Sequence, residues 1–146
     1  MTQSESADRA ELTLTALQAR YAEQQWAIDH GDAPGWAQTF GPDGVFSSVT
    51  YPEPVRGRSE LTVFAESFAA RAIAAGETHR HLVVNLHVVD GDSHTLRCRL
   101  TFLVLAHDPG GRQPRMLRMV DAEDLWQRNP LLLLRRRVGF PPVDDA

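Results

Sequence analysis

Between His94 and Ala106 the chain alternates strictly, and no other feature restricts its fold as much. His94, Leu96, Cys98, Leu100, Phe102, Val104 and Ala106 fall on one side of an extended segment. Thr95, Arg97, Arg99, Thr101, Leu103 and Leu105 fall on the other. Successive side chains of a β-strand point to opposite faces, so the even positions form a buried face. Three similar segments accompany this strand, at 79–89, 115–127 and 131–139. The turn signals DGDS, DPGG and RNP separate the four, so a strand meander is expected.

Helical patterns precede the meander. From Leu12 to His30, the residues Leu14, Leu17, Tyr21 and Ile28 form an apolar stripe with Gln24 inside it, and Gly31 stops the helix. Asp32 caps a second, short helix with Pro34 in its first turn, ended by Gly41. The segment DGVFSSVT (43–50) reads as a strand, followed by the Pro-interrupted loop YPEPVRG. Ser59 opens a third helix carrying Leu61, Phe64, Ala65, Phe68 and Ala72 at helical spacing, and Gly76 terminates it. Helices first and an antiparallel sheet after predict an α+β fold. With 146 residues, one domain over 12–140 is expected, between a polar, frayed tail at 1–11 and a short tail at 141–146.

Composition removes several classes of function. A formal net charge of −4 gives no electrostatic basis for binding nucleic acid or an anionic membrane. The longest aliphatic run, Leu131 to Leu134, is far too short to span a bilayer, and no secretory signal is recognisable. One cysteine, Cys98, excludes an intramolecular disulfide and a cysteine-based zinc cluster. A cytoplasmic protein is expected. All 15 basic residues are arginine, which points to a GC-rich bacterial genome.

The chemistry concentrates in HRHLVVNLHVV (79–89), where His79, His81, Asn85 and His87 occupy alternate positions. A two-residue turn at Gly91-Asp92 would pair Asp90 with Ser93. That register sets Asn85 opposite Cys98, His87 opposite Leu96 and His81 opposite Phe102. Opposed residues share a face, so the histidine–asparagine face turns inward. A bulged turn would reverse this parity and place the histidines in water. Polar groups among apolar walls suit a small-molecule pocket better than a solid core. The other face, with Leu82, Val84, Leu86 and Val88 edged by Arg80, Arg97 and Arg99, suits contact with a second copy, and a homodimer is expected.

Within that face, His81 has the chemistry of a general acid–base, against the alternative of a structural histidine. The stretch AIDHGD (27–32) supplies Asp29, about 100° around the helix from Ile28, placed either to reach the pocket or to stay solvated. Asp32 reads as a helix cap and His30 as exposed. Alternate histidines on one strand lack distinctive ligand spacing, so no metal is expected. No phosphate loop, dinucleotide fingerprint or nucleophile elbow is present, and no cofactor is expected.

Three stretches carry a resemblance to a known family: Y…WAIDHGD…W…FGPDGVF, then PVRGRSEL…FAESF, then HRHLVVN leading into the meander. Over residues 12–138 the chain resembles SnoaL-like members of the nuclear transport factor 2-like superfamily. The resemblance implies a conical α+β roll, with N-terminal helices packed on a curved, mostly antiparallel sheet that encloses a pocket. Ketosteroid isomerase, scytalone dehydratase, polyketide cyclases and dioxygenase β subunits share that fold, so it does not by itself give the reaction. Where ketosteroid isomerases carry a tyrosine and two aspartates, this chain has Gln24, Ser48 and Ala122, which argues against steroid-type isomerisation. His81 and Asp29 match a pocket histidine and aspartate of scytalone dehydratase, whose second histidine has no counterpart here.

The expected function is therefore a cofactor-free dehydratase or cyclase acting on a polyketide-like aromatic or hydroxyketone substrate, in secondary-metabolite (antibiotic) biosynthesis. His81 would move the proton and Asp29 would orient it. Asn85, Gln24 or Asp124 would bind a carbonyl or hydroxyl, with Phe102 and Phe46 as apolar walls. Two alternatives stand beside it: a non-catalytic binding or dioxygenase-β-subunit-like module, and a hydrolase of small epoxides.

Overall fold

The computed structural model describes residues 2–111 and 113–141. Three helices, α1 (Gln3–Asp29), α2 (Ala33–Gln38) and α3 (Gly57–Ala74), pack on one face of a six-stranded sheet. Its strands are β1 (Phe40–Ser48), β2 (Val55–Arg56), β3 (Thr78–Gly91), β4 (Thr95–His107), β5 (Arg115–Gln127) and β6 (Leu132–Val138). They lie in the order β2-β1-β6-β5-β4-β3. Only β1 and β6 run parallel, so the sheet is mixed and it is not closed.

Helix α1 begins at Gln3, well ahead of the expected Leu12. A capping box explains this: Thr2 Oγ1 accepts from the Glu5 N–H, and the Glu5 carboxylate accepts from the Thr2 N–H. The tail expected at 1–11 is thus helical from Gln3, and the tail expected at 141–146 lies outside the described residues beyond Pro141. Leu17, Tyr21, Gln24 and Ile28 are the buried side of α1, whereas Leu14 is largely exposed. Gly31, at φ 75°, turns the chain into α2, where Asp32 accepts from the Gly35 N–H at 3.0 Å. Helix α3 starts at Gly57 rather than Ser59; Gly57 takes φ 78° and Glu60 accepts from the Arg56 N–H.

The alternation in β4 appears as expected. Leu96, Cys98, Leu100, Phe102, Val104 and Ala106 are all buried. Leu96, Cys98, Leu100 and Phe102 meet Leu17, Tyr21, Trp36, Phe40, Leu61 and their neighbours in one core. Helices cover only this inner face.

Candidate active site

The position of His81 depends on the β3–β4 register, which departs from a simple hairpin in three places. The turn is centred on Ser93-His94, not Gly91-Asp92. Gly91 pairs with Leu96, and the Asp92 carboxylate accepts from the His94 and Thr95 N–H groups at 2.7 and 2.9 Å. Aspartate closes such a turn locally, competing with the Gly-Asp pair. Two bulges follow in β3, one between Val88 and Asp90 and one between Val84 and His87. Each inserts one residue and reverses the faces, so together they restore the original parity. His79 and His81 therefore point inward, opposite Ala106 and Val104; Val83, not His81, faces Phe102.

Between the bulges the faces are exchanged. His87 lies opposite Arg99 on the outer side rather than opposite Leu96. Leu86 and Val88 pack against the core, which removes them from the outer strip expected to meet a second copy. Asn85 occupies the bulge itself at φ 53° and is exposed, so it does not face Cys98.

Near the end of α1, Asp29 grips His81 at two places. Its carboxylate accepts from the His81 backbone N–H at 3.0 and 3.2 Å, and Oδ1 lies 2.6 Å from imidazole Nδ1. Both side chains are largely buried, with 14% and 5% of His81 and Asp29 exposed. An ionised carboxylate only accepts, which assigns the Nδ1 proton to this bond and leaves Nε2 with its lone pair outward. No hydrogen bond is made at Nε2 among the described residues. An imidazole held in this tautomer can take a proton at Nε2 and return it.

The His81 ring stands in the wall between two spaces. On the inner side is a cavity of ≈ 90 Å³ whose lining includes Trp36, Phe46, Phe64, Phe68, Phe102 and His81. The Phe68 ring centroid lies 5.1 Å from that of His81. On the other side a groove of ≈ 680 Å³ runs between α1 and β3, past Tyr21, Gln25, Trp26, Asp29 and Asn85. The groove is larger but open to water. The cavity is the more aromatic of the two spaces. Phe46 and Phe102 line this cavity, while Asn85 lines the groove. His79 sits beside His81 with its ring against Phe68 and Nδ1 buried without a partner among the described residues. Burial, reinforced by the charge of His81, holds its pKa below the ordinary value against the opposing pull of Glu77.

Gln24 and Asp124, expected to meet substrate, line neither space. They belong to a buried network around Arg136, a residue that sequence reasoning did not single out. Asp124 and Arg136 are directly opposed on β5 and β6, with Nε and Nη2 donating to the carboxylate at 2.9 Å each. Nη2 also donates to Gln24 Oε1 at 2.6 Å, and the Tyr21 hydroxyl donates to Asp124 Oδ2 at 2.6 Å. Trp126 Nε1 donates to the Tyr21 oxygen, and Gln24 Nε2 to Thr39 Oγ1. Burial works to lower the Arg136 pKa, but the Asp124 charge prevails and holds it above its ordinary value. Burial, then Asp124, pushes the Tyr21 phenol well above its ordinary value. Arg136 carries this network to the cavity floor, where its guanidinium lies 4.8 Å from the Phe102 ring centroid. The signal was a charge pair, Asp124 against the RRR run, readable only once the β5–β6 register is known.

Among the described residues no three His, Cys, Asp or Glu side chains are arranged to hold a metal ion, and no helix is long and apolar enough to cross a membrane. The family model for the SnoaL-like domain matches residues 5–130. The chain belongs to this family. No curated protein matches it. Among solved structures it is similar to ActVI-ORFA from Streptomyces coelicolor, at 22% identity and TM-score 0.78 over 86% of this chain and 95% of that one. A Catenulispora acidiphila protein solved in complex with S-DNPA shares 24% identity and a TM-score of 0.75, over 88% of this chain and 92% of the other. A candidate β subunit of an aromatic-ring-hydroxylating dioxygenase from Novosphingobium aromaticivorans shares 14% identity at TM-score 0.69, covering 94% of each chain. These likenesses show that the chain shares the fold of those proteins, helices packed on a mixed, unclosed sheet.

Proposed function

We propose that this SnoaL-like protein is a cofactor-free dehydratase or cyclase that works by acid–base chemistry on a polyketide-like aromatic or hydroxyketone substrate. The observation that carries the proposal is the Asp29–His81 dyad, closed at Nδ1 by a 2.6 Å bond and open at Nε2 beside an aromatic cavity. Loss of water and ring closure each need one proton removed and one delivered, which a single shuttling imidazole can do. Asp124 is a poor candidate for the water-activating acid of an epoxide hydrolase, because Arg136 and Tyr21 engage both its oxygens.

His81→Ala is expected to lower turnover about 10²–10⁴-fold, the usual contribution of a positioned acid–base group, with substrate affinity and melting temperature little changed. Asp29→Asn is expected to lose less. The assay is steady-state turnover on hydroxyketone and hemiketal precursors of pyran-fused aromatics. Wild-type rates in His81→Ala would end the proposal, and binding without any turnover would favour a binding module.

We also infer a homodimer. Leu82, Leu103 and Met119 are paired directly across β3, β4 and β5 on the face that no helix covers, with Leu105 and Met116 paired beside them. Leu82 and Met119 are 39% and 69% exposed. A second copy related by a two-fold axis would cover this self-complementary strip. Sedimentation should give a dimer at micromolar concentration and a monomer for Met119→Glu; a wild-type monomer would contradict the inference.

A further inference from the structure

The cavity wall carries two guanidinium groups, and only one of them is neutralised. Arg136 is held by Asp124. Arg118, projecting from the same inner face of β5 opposite Val104, makes one hydrogen bond, from Nη2 to Thr50 Oγ1 at 2.8 Å. It has no ion pair with any carboxylate among the described residues. Thr50 and the following Tyr51 lie in the loop after β1, and the Tyr51 ring packs on Phe64 within the cavity lining. Behind Tyr51 a second arginine repeats the arrangement. Arg71 of α3 donates to the Tyr51 hydroxyl at 3.4 Å and lies 6.0 Å from the Phe68 ring centroid, again without a carboxylate partner among the described residues. By contrast, nearby Arg115 is paired with Glu77 at 2.8 Å. One mouth of the cavity therefore combines an uncompensated guanidinium on its wall, a second beside it, a phenol and an aromatic floor.

Size points the same way. At ≈ 90 Å³ the cavity is smaller than a void of about 150 Å³ that accepts benzene, so a ring enters only in part and its polar substituent remains at the mouth. Arg118 and Tyr51 stand where that substituent would lie. A planar guanidinium with two unengaged nitrogens matches a carboxylate better than a carbonyl or hydroxyl.

We propose that this mouth is a carboxylate-recognition site: Arg118 and the Tyr51 hydroxyl, supported by Arg71, bind the carboxylate of an aromatic acid whose ring lies against Phe64 and Phe68. The opposite edge of the ring then points toward His81. Only that last orientation rests on the acid–base reading of the dyad; the carboxylate site stands on Arg118 itself.

The test uses benzoate and its neutral counterpart benzamide as probes, titrated into the full-length protein and followed by NMR chemical shifts of the Phe64, Phe68 and Trp36 rings. Benzoate is expected to bind about tenfold or more tightly than benzamide, the scale of a partly desolvated charge-assisted pair. Arg118→Gln should reduce the preference to within about twofold, and Arg118→Lys should keep part of it. Arg71→Gln should weaken benzoate less than Arg118→Gln. His81→Ala should leave the preference intact, which separates this site from the dyad. Equal affinity for acid and amide, no binding of either, or a preference that survives Arg118→Gln in a folded variant would each overturn the proposal. The proposed turnover on a neutral substrate would survive that outcome.

Discussion

The interior holds two pairings of an aspartate with a nitrogen cation, and they are built on opposite plans. Asp124 and Arg136 are almost wholly excluded from water, and Tyr21, Gln24 and Trp126 extend the pair into a closed network. Asp29 and His81 are closed on one side only. Their Nδ1 contact is as short as any in the network, yet Nε2 has no hydrogen-bond partner among the described residues. A saturated network holds its members in one arrangement and leaves nothing for substrate. The half-open pair keeps one lone pair available. Rigidity on the floor and the chemistry proposed for the wall are therefore separated, with Phe102 and Phe68 between them.

The largest expected effect separates the two plans by stability. Asp124→Ala leaves the Arg136 guanidinium buried and uncompensated, and should cost about 3–5 kcal/mol in urea denaturation. Joint replacement, Asp124→Leu with Arg136→Met, should recover most of that loss, because apolar packing can match a buried pair. Asp29→Asn should cost only about 1–2 kcal/mol, since a neutral amide still accepts from the His81 N–H and the site can take in water. Equal losses at Asp124 and Asp29 would break the comparison.

What could be read from the chain follows the same division. Alternation in β4 defined the inner face, because a period of two survives any error in turn placement. The inward direction of His81 also held, through two bulges that cancel in parity, with Val104 rather than Phe102 as its partner. Asn85 fell within one of those bulges and His87 between the two, where no residue type announced the extra backbone. Gln24 was legible as a polar residue inside an apolar stripe, but its partner Arg136 was hidden within three arginines whose facing depends on the β5–β6 register. The early start of α1 was readable: Thr2 followed by Glu5 is a capping signature. The uncompensated charge of Arg118 was not, because it depends on which carboxylates come near in space.

The smallest expected effect concerns Cys98, which extends the saturated floor by one titratable group. Its thiol is buried opposite Asp124, and burial, reinforced by that carboxylate, pushes its pKa up to about 12. In the unfolded chain a cysteine titrates near about 8.5. Between these values the unfolded state releases a proton that the folded state keeps, so stability is complete below about pH 8.5 and falls as pH rises. Tyr21, also raised, adds a fall of the same sign above about pH 10. The slope due to Cys98 should be on the order of 1 kcal/mol per pH unit. Cys98→Ala lowers stability at neutral pH by opening a small void, but it should flatten the decline between pH 9 and about 10, before Tyr21 contributes. His81→Ala should leave that decline unchanged, since the dyad belongs to the other side of the interior. Urea midpoints measured across this range would show whether alkaline sensitivity tracks Cys98; an identical slope in Cys98→Ala would mean that the floor is less sealed from water than its hydrogen bonds imply.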